Sequence, residues 1–341
     1  MGDIDGHSCL IALNHKSGIV VWKTTVGAAG GSFAGPRSTP ATDGQRVFAY
    51  NQFGDLLCAN AQTGKPIWKL NLQKDLAARQ QISKLDGKTS WGVAESPFLF
   101  RDTIYMAPGG SQGAVVALDK RTGKIIWRCT ELTEPGTYTS VTPIVIDKTP
   151  QLLVVVDDSI AGVDVLTGKL LWRVDWPSVG SNCSDPVYWD HTVFMSAAYG
   201  VGAKGYRVEK SPDGTFSARQ IYENKRIQNR NFGMILDKGF VYTSNRSGEM
   251  ICLDIKTGEY KWSQKGFSGD GSALTWAEGL LIARAENGEL RLFEANPDRY
   301  VERGRFMQPD RTDVQTWTYP LVVDGKLYLR DQNKLFCYDL K

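Results

Sequence analysis

The sequence predicts an all-β fold, a β-propeller of four-stranded antiparallel blades, from three observations: a turn motif that recurs five times, a period near 45 residues, and two strand-like runs ahead of each turn. The copies run Ala12-Leu13-Asn14 to Ser17-Gly18 then Trp22, Ala59-Asn60 to Thr63-Gly64 then Trp68, Leu118-Asp119 to Thr122-Gly123 then Trp127, Val163-Asp164 to Thr167-Gly168 then Trp172, and Leu253-Asp254 to Thr257-Gly258 then Trp262. In each, the Trp follows the Gly by four positions. Asp or Asn bonds the backbone two residues on, Thr or Ser does so more weakly, and Gly takes the left-handed conformation that closes a four-residue hairpin loop.

Taken in order, residues 8–26 supply the third and fourth strands of a first blade, residues 37–308 six full blades, and residues 315–340 three strands of a last one. The Gly-to-Gly steps are 46, 59, 45 and 90. The step of 59 reads as an insertion between blades at 73–93, carrying the one helix-like stretch, Lys74–Lys84. The step of 90 is two periods, and Gly214 in Ser211-Pro212-Asp213-Gly214 marks the hidden copy. A worn seventh copy runs Leu292-Phe293-Glu294 to Pro297-Asp298. The expectation is an eight-bladed plan with incomplete ends in one domain, 1–341. The alternative has seven blades, with Ile19–Lys23 completing the C-terminal sheet.

Composition narrows the function. Lys and Arg number 40 against 37 Asp and Glu, a net charge of +3, which argues against nucleic acid as a partner. The longest aliphatic run, Leu152–Val156, is far short of the roughly 18 residues a membrane span needs. Met1–His7 is acidic and polar, with no secretory signal pattern. Cys58, Cys252 and Cys337 fill the slot held by Ala12, Ala117 and Gly162 in other copies, so the six cysteines are expected to be reduced and mostly buried. His7, His15 and His191 are not spaced as metal ligands. Gly200-Val201-Gly202-Ala203-Lys204-Gly205 matches a dinucleotide fingerprint, but a strand follows it where a helix is required, so it reads as a hairpin loop.

One Trp per blade at a fixed phase is what blade-on-blade packing needs, so Trp22, Trp68, Trp127, Trp172 and Trp262 are assigned to structure. Candidates for binding lie just before or at the start of innermost strands, where propellers line their channel: Arg37, Trp91, Glu95, Tyr138, Ser140, Asn182, Asp185, Arg230, Asn231, Asp270, Gln315 and Trp317. Channel-lining strands are also polar simply because water fills the channel. Read as a site, Glu95, Asp185 and Asn182 or Asn231 offer the oxygens a hard cation such as Ca²⁺ prefers, and Trp91 or Trp317 a planar face.

The motif resembles the pyrroloquinoline-quinone repeat β-propeller family, whose blades end in A-x-D-x-x-T-G-x-x-x-W. Trp91-Gly92-Val93-Ala94-Glu95-Ser96-Pro97 and Leu327-Tyr328-Leu329-Arg330-Asp331-Gln332 are similar to stretches of its quinone-binding-like and polyvinyl-alcohol-dehydrogenase-like members. The resemblance implies a periplasmic or secreted protein, and it brings in pyrroloquinoline quinone with Ca²⁺ as a cofactor to weigh. Its alcohol dehydrogenases use a vicinal disulfide beside the quinone, and this sequence has no Cys-Cys pair. The favoured expectation is therefore a monomeric, non-enzymatic scaffold without cofactor, recognising a protein, peptide or glycan on its top face or channel. The alternatives are a quinone-dependent dehydrogenase and a subunit of an envelope assembly complex.

Overall fold

The computed structural model describes residues 1–33 and 35–340. The fold is an eight-bladed β-propeller of antiparallel sheets with almost no helix. The chain divides into two compact units, Met1–Asn182 with Lys210–Ser217, and Cys183–Glu209 with Ala218–Lys341.

The first unit carries four sheets in sequence order. They are β1 (Gly2–Ile4), β2 (His7–Leu13) and β3 (Val20–Ala28); β4 (Ala41–Thr42), β5 (Arg46–Tyr50), β6 (Asp55–Asn60) and β7 (Pro66–Asn71); β8 (Phe98–Phe100), β9 (Thr103–Met106), β10 (Val115–Asp119) and β11 (Ile125–Cys129); and β12 (Thr142–Ile146), β13 (Thr149–Val156), β14 (Ser159–Asp164) and β15 (Leu170–Asp175). The first sheet has one strand more than the two expected, because Gly2–Ile4 pairs with His7–Cys9. β3 pairs with β2 from Val20 onward, so Ile19–Lys23 belongs to this sheet and the seven-blade alternative falls.

The second unit carries β16 (Val187–Trp189), β17 (Thr192–Ala197), β18 (Gly202–Lys210) and β19 (Phe216–Asn224); β20 (Ile235–Asp237), β21 (Phe240–Asn245), β22 (Glu249–Asp254) and β23 (Tyr260–Lys265); β24 (Ser272–Ala277), β25 (Leu280–Ala285), β26 (Glu289–Glu294) and β27 (Glu302–Met307); and a three-stranded sheet of β28 (Leu321–Val323), β29 (Lys326–Asp331) and β30 (Lys334–Asp339). Innermost strands lie side by side, β20 between β16 and β24, and β24 next to β28.

The repeated turn closes as its residue types require. Asn60 Oδ1 accepts from the backbone of Gln62 at 3.0 Å and Thr63 at 2.9 Å, and Asp119 and Asp164 repeat the pattern. The Trp four residues after the Gly stands opposite a small residue of the third strand: Ala12, Cys58, Ala117, Gly162 and Cys252 face Trp22, Trp68, Trp127, Trp172 and Trp262. A bulge follows in each case, while Trp172 Nε1 donates within its own blade, to Gln151 Oε1 at 2.7 Å. Trp22 Nε1 donates to Ala61 O at 3.1 Å, Trp68 Nε1 to Lys120 O at 3.1 Å, and Trp262 Nε1 to Asn296 O at 2.8 Å. Each acceptor lies in the turn of the next blade, a partner that lets the indole N–H be buried without loss. Gly64 needs its missing side chain twice over: its φ is +70°, and a Cβ would meet the Trp22 ring at 2.6 Å.

Two copies depart from the pattern. The hidden copy has its turn, with Gly214 N bonded to Ser211 O at 2.9 Å, but Tyr222 replaces the Trp and donates to Ile255 O at 2.5 Å. In the worn copy the sizes are exchanged, with Leu292 facing Gly304.

The insertion differs from expectation. Its helix is α1 (Leu72–Leu76), a single turn capped by Asn71, and Ala77 ends it in the left-handed conformation, so most of Lys74–Lys84 is loop. No disulfide joins any of the six cysteines, all of them among the described residues. Cys9, Cys58, Cys129 and Cys252 are buried, but Cys183 is half-buried and Cys337 exposed, because the last sheet has no fourth strand to cover the slot. Among the described residues no helix is long and apolar enough to cross a membrane.

Candidate functional site

In the first unit the connections from a fourth strand to the next innermost strand gather the predicted residues at one end of the sheets. Trp91 N donates to the Tyr138 hydroxyl at 3.1 Å, and the two rings meet edge to face at 5.7 Å. Arg37 lies within electrostatic reach of Tyr138; burial lowers the guanidinium pKa, and Tyr138 and Asp3 pull it partway back. Arg37, Trp91 and Tyr138 are therefore brought together. Ser140 is tied down as well, its Oγ accepting from Ser96 N at 3.0 Å.

Glu95 and Asn182 are structural in their visible bonds. Glu95 is 1% exposed and its Oε2 accepts from Ala107 N at 2.8 Å. Asn182 Oδ1 accepts from Trp176 Nε1 at 2.9 Å, while its Nδ2 donates to Ser178 Oγ at 3.0 Å. Of the oxygens expected to suit a hard cation, on Glu95, Asp185 and Asn182 or Asn231, Glu95 Oε2 and Asn182 Oδ1 each serve a protein donor. Among the described residues no three His, Cys, Asp or Glu come together in a way that could hold a metal.

A strap formed by residues 77–90 crosses this end of the first unit. Its backbone bonds Gln81 N to Gly136 O at 2.8 Å and Lys84 N to Val179 O at 2.9 Å. Gly110 and Gly180 let it lie flush, since a Cβ on either would run into the carbonyl of Ala77 or Ile82. Lys84 fastens it by ion pairs to Asp157 at 3.5 Å and to Asp158. Burial works against the Lys84 charge, but the two aspartates outweigh it and its pKa is raised. At the opposite turns, a polar groove of about 300 Å³ is lined by Asp43, Gln45, Arg46, Asp102, Lys120 and Arg121. Its charges already serve one another, Lys120 bridging Asp43 at 3.1 Å and Asp102 at 3.3 Å.

The second unit has the denser cluster. Arg230 Nε donates to the Tyr199 hydroxyl at 3.0 Å, and Arg230 Nη1 is paired with Asp270. Burial would lower the Arg230 pKa; Tyr199 and Asp270 override it and raise it. Both Arg230 and Arg246 sit over the Tyr199 ring, at 5.6 and 5.5 Å from its centroid, so one phenol is shared by two guanidiniums. Glu286, 8% exposed, links Asp270 to Trp317: its Oε2 accepts from Asp270 N at 3.0 Å and its Oε1 from Trp317 Nε1 at 2.6 Å. Trp317, Arg230 and Asp270 are thus one network, whereas Asp185 and Gln315 are exposed and Asn231 half-buried.

Sequence reasoning missed Tyr199, Arg246 and Glu286, which stand in turns between second and third strands. The signal was there. Each lies one or two residues before a glycine, in Tyr199-Gly200, Arg246-Ser247-Gly248 and Glu286-Asn287-Gly288, at one phase of the repeat.

A family model described as outer membrane protein assembly factor BamB matches residues 6–264 and 228–341. A polyvinylalcohol dehydrogenase of Sphingopyxis sp. (strain 113P3) is 26% identical over 325 residues, covering 74% of this chain and 49% of that protein. The chain thus spans about half the length of the curated relative it matches. Of solved structures, BamB from Moraxella catarrhalis superposes with a TM-score of 0.64 at 14% identity, covering 98% of this chain and 92% of that one. The quinohemoprotein alcohol dehydrogenase from Comamonas testosteroni gives the same TM-score at 14% identity, covering 95% and 67%. At that identity these likenesses establish the fold.

Proposed function

The chain belongs to the family of the outer membrane protein assembly factor BamB, a family of PQQ-repeat β-propellers, and from that premise we propose that it is a non-enzymatic scaffold that binds a protein partner in the cell envelope. One observation carries the reading: Tyr199 with its two arginines, on the loops at one end of the second unit's strands. Interface hot spots are built from Tyr, Trp and Arg held rigid by their own neighbours, and Arg230, Asp270 and Glu286 supply that support. The carboxylates with visible bonds hold the fold in place, which favours recognition over proton transfer. That the eight blades act as one domain, as a monomer and without a cofactor, is part of the same proposal.

The test compares binding of purified outer-membrane assembly components to the wild-type protein and to Tyr199→Ser and Arg246→Glu variants. A tenfold or greater loss of affinity with an unchanged unfolding midpoint supports the scaffold. A glycan ligand would show itself in the same assay by competition with soluble saccharide. The 26% identity to a polyvinylalcohol dehydrogenase favours one second reading, a quinone-dependent oxidoreductase. Micromolar binding of pyrroloquinoline quinone with Ca²⁺, lost in Glu95→Ala and accompanied by dye-linked oxidation of polyvinyl alcohol, would replace the scaffold with that enzyme.

A further inference from the structure

Away from the Tyr199 cluster, the second unit buries a cation whose donors outnumber their acceptors. Arg284, on β25, is 1% exposed and forms no ion pair among the described residues. Its Nη1 donates to Arg330 O at 2.7 Å and Thr318 Oγ1 at 2.9 Å, and its Nη2 to Gln308 Oε1 at 2.5 Å. All of these acceptors are neutral. The nearby carboxylate, Asp331, is itself fully buried and is committed to other donors: Thr312 N, Thr312 Oγ1 at 2.9 Å and Thr316 Oγ1 at 3.2 Å.

Three polar atoms around the guanidinium have no partner among the described residues: Arg284 Nε, Gln308 Nε2 and the Tyr338 hydroxyl. Gln308 is 2% exposed. Two of the three are obligate donors and the third can donate. Bonding places the first two together, because Arg284 Nε shares a carbon with Nη2, and Gln308 Nε2 shares one with Oε1, the two atoms of the 2.5 Å contact. Tyr338 is within electrostatic reach of the same guanidinium. Burial lowers the Arg284 pKa to about 10, with Asp331 and Tyr338 pulling it up, so the group keeps its charge at neutral pH. Leaving a buried charge with an unmade hydrogen bond costs more than leaving a neutral group so.

We propose that Arg284, Gln308 and Tyr338 form a buried site for one small monovalent anion of the halide class, held by Arg284 Nε, Gln308 Nε2 and the Tyr338 hydroxyl. Such an anion accepts from these three donors, supplies in direct contact the negative charge that the neutral acceptors lack, and joins the second strand of one blade, the residue after its fourth strand and the third strand of the next.

The test uses the full chain. Crystals grown in bromide should show one anomalous peak within hydrogen-bond distance of Arg284 Nε and Gln308 Nε2. In solution at constant ionic strength, replacing gluconate by chloride should raise the unfolding midpoint progressively, as expected for a ligand of the native state alone. Gln308→Leu should abolish that rise while remaining folded. Tyr338→Phe, which keeps the ring packing, should weaken apparent chloride affinity several-fold. A peak that scatters only as water, or a wild-type midpoint indifferent to chloride, would overturn the proposal, as would a Gln308→Leu protein that responds to chloride like the wild type.

Discussion

Tyr222 lies over Gly205 so closely that any side chain at position 205 would enter its ring, and its hydroxyl donates to Ile255 O in the next blade at 2.5 Å. A phenol has replaced the indole of the other copies, and the facing residue has shrunk to glycine to admit it. Gly205→Val should therefore destabilise the protein strongly, while Tyr222→Phe removes only the hydrogen bond and should cost about 0.5–1.5 kcal/mol. Urea titration of the two variants measures the difference; equal losses would mean that packing on Gly205 is not what fixes the ring.

Trp262 is packed among Tyr242, Phe293 and Tyr300, with ring centroids 6.0, 6.4 and 5.6 Å away. Replacing it by Ala should cost about 3–5 kcal/mol, the range for buried aromatics. A denaturant midpoint within error of the wild type would remove Trp262 from the packing.

The thiols should sort by position. Burial pushes Cys58 and Cys252 up to about 12 and Cys129 to about 11, so they are protonated and shielded at neutral pH. Titration with a chromogenic disulfide should find Cys337 first and Cys183 later, with Cys9, Cys58, Cys129 and Cys252 appearing only on unfolding. Rapid modification of four or more thiols in the native protein would contradict the burial.

Acid should weaken the turns. Burial tends to raise the Asp119 pKa, but hydrogen bonds from Thr122 and from the backbone of Thr122 and Arg121 outweigh it, and the folded value lies below the ordinary 3.8. A carboxylate depressed on folding stabilises above its unfolded pKa and loses that contribution as pH falls through the folded one. Urea midpoints should hold from pH 7 to about 5 and fall below about pH 4. Asp119→Asn should flatten that fall; an identical profile would show that the turn does not titrate.

The strap should open when its latch is cut. Lys84→Met removes both ion pairs, to Asp157 and Asp158, and should speed limited proteolysis within residues 77–90 while leaving the global midpoint within about 1 kcal/mol. Cleavage at the wild-type rate would mean that the backbone bonds of Gln81 and Lys84 hold the strap alone.

The fold was legible because a repeat multiplies its own evidence: each turn of Asx, Thr or Ser, and Gly is weak alone, and five recurring copies are not. The strand Gly2–Ile4 escaped because three residues, only one of them a large apolar one, are too few to show an alternation, and its pairing follows the hairpin at Asp5-Gly6. At the candidate site, proximity to innermost strands found Arg230, Asp270 and Trp317 but also Asn182, whose amide supports Trp176. What a polar side chain bonds depends on loops far away in sequence, and a period says nothing of that. Glu286 shows the cost, since the residue that joins Asp270 to Trp317 sits in a turn with no apolar pattern around it.

Because the indoles of Trp22, Trp68 and Trp262 are each received by the blade that follows, synthesis imposes a delay on those three locks. Trp22 is made 39 residues before Ala61, its acceptor, and Trp68 52 residues before Lys120. At about 5–20 residues per second on the ribosome, each ring waits for roughly 2–10 seconds with its partner unmade. A nascent chain halted just after the blade of Trp22, Trp68 or Trp262 therefore leaves that blade's indole without its partner. Stalled intermediates should expose one unprotected tryptophan at a time, at the growing end, and it is there that a chaperone would find its substrate.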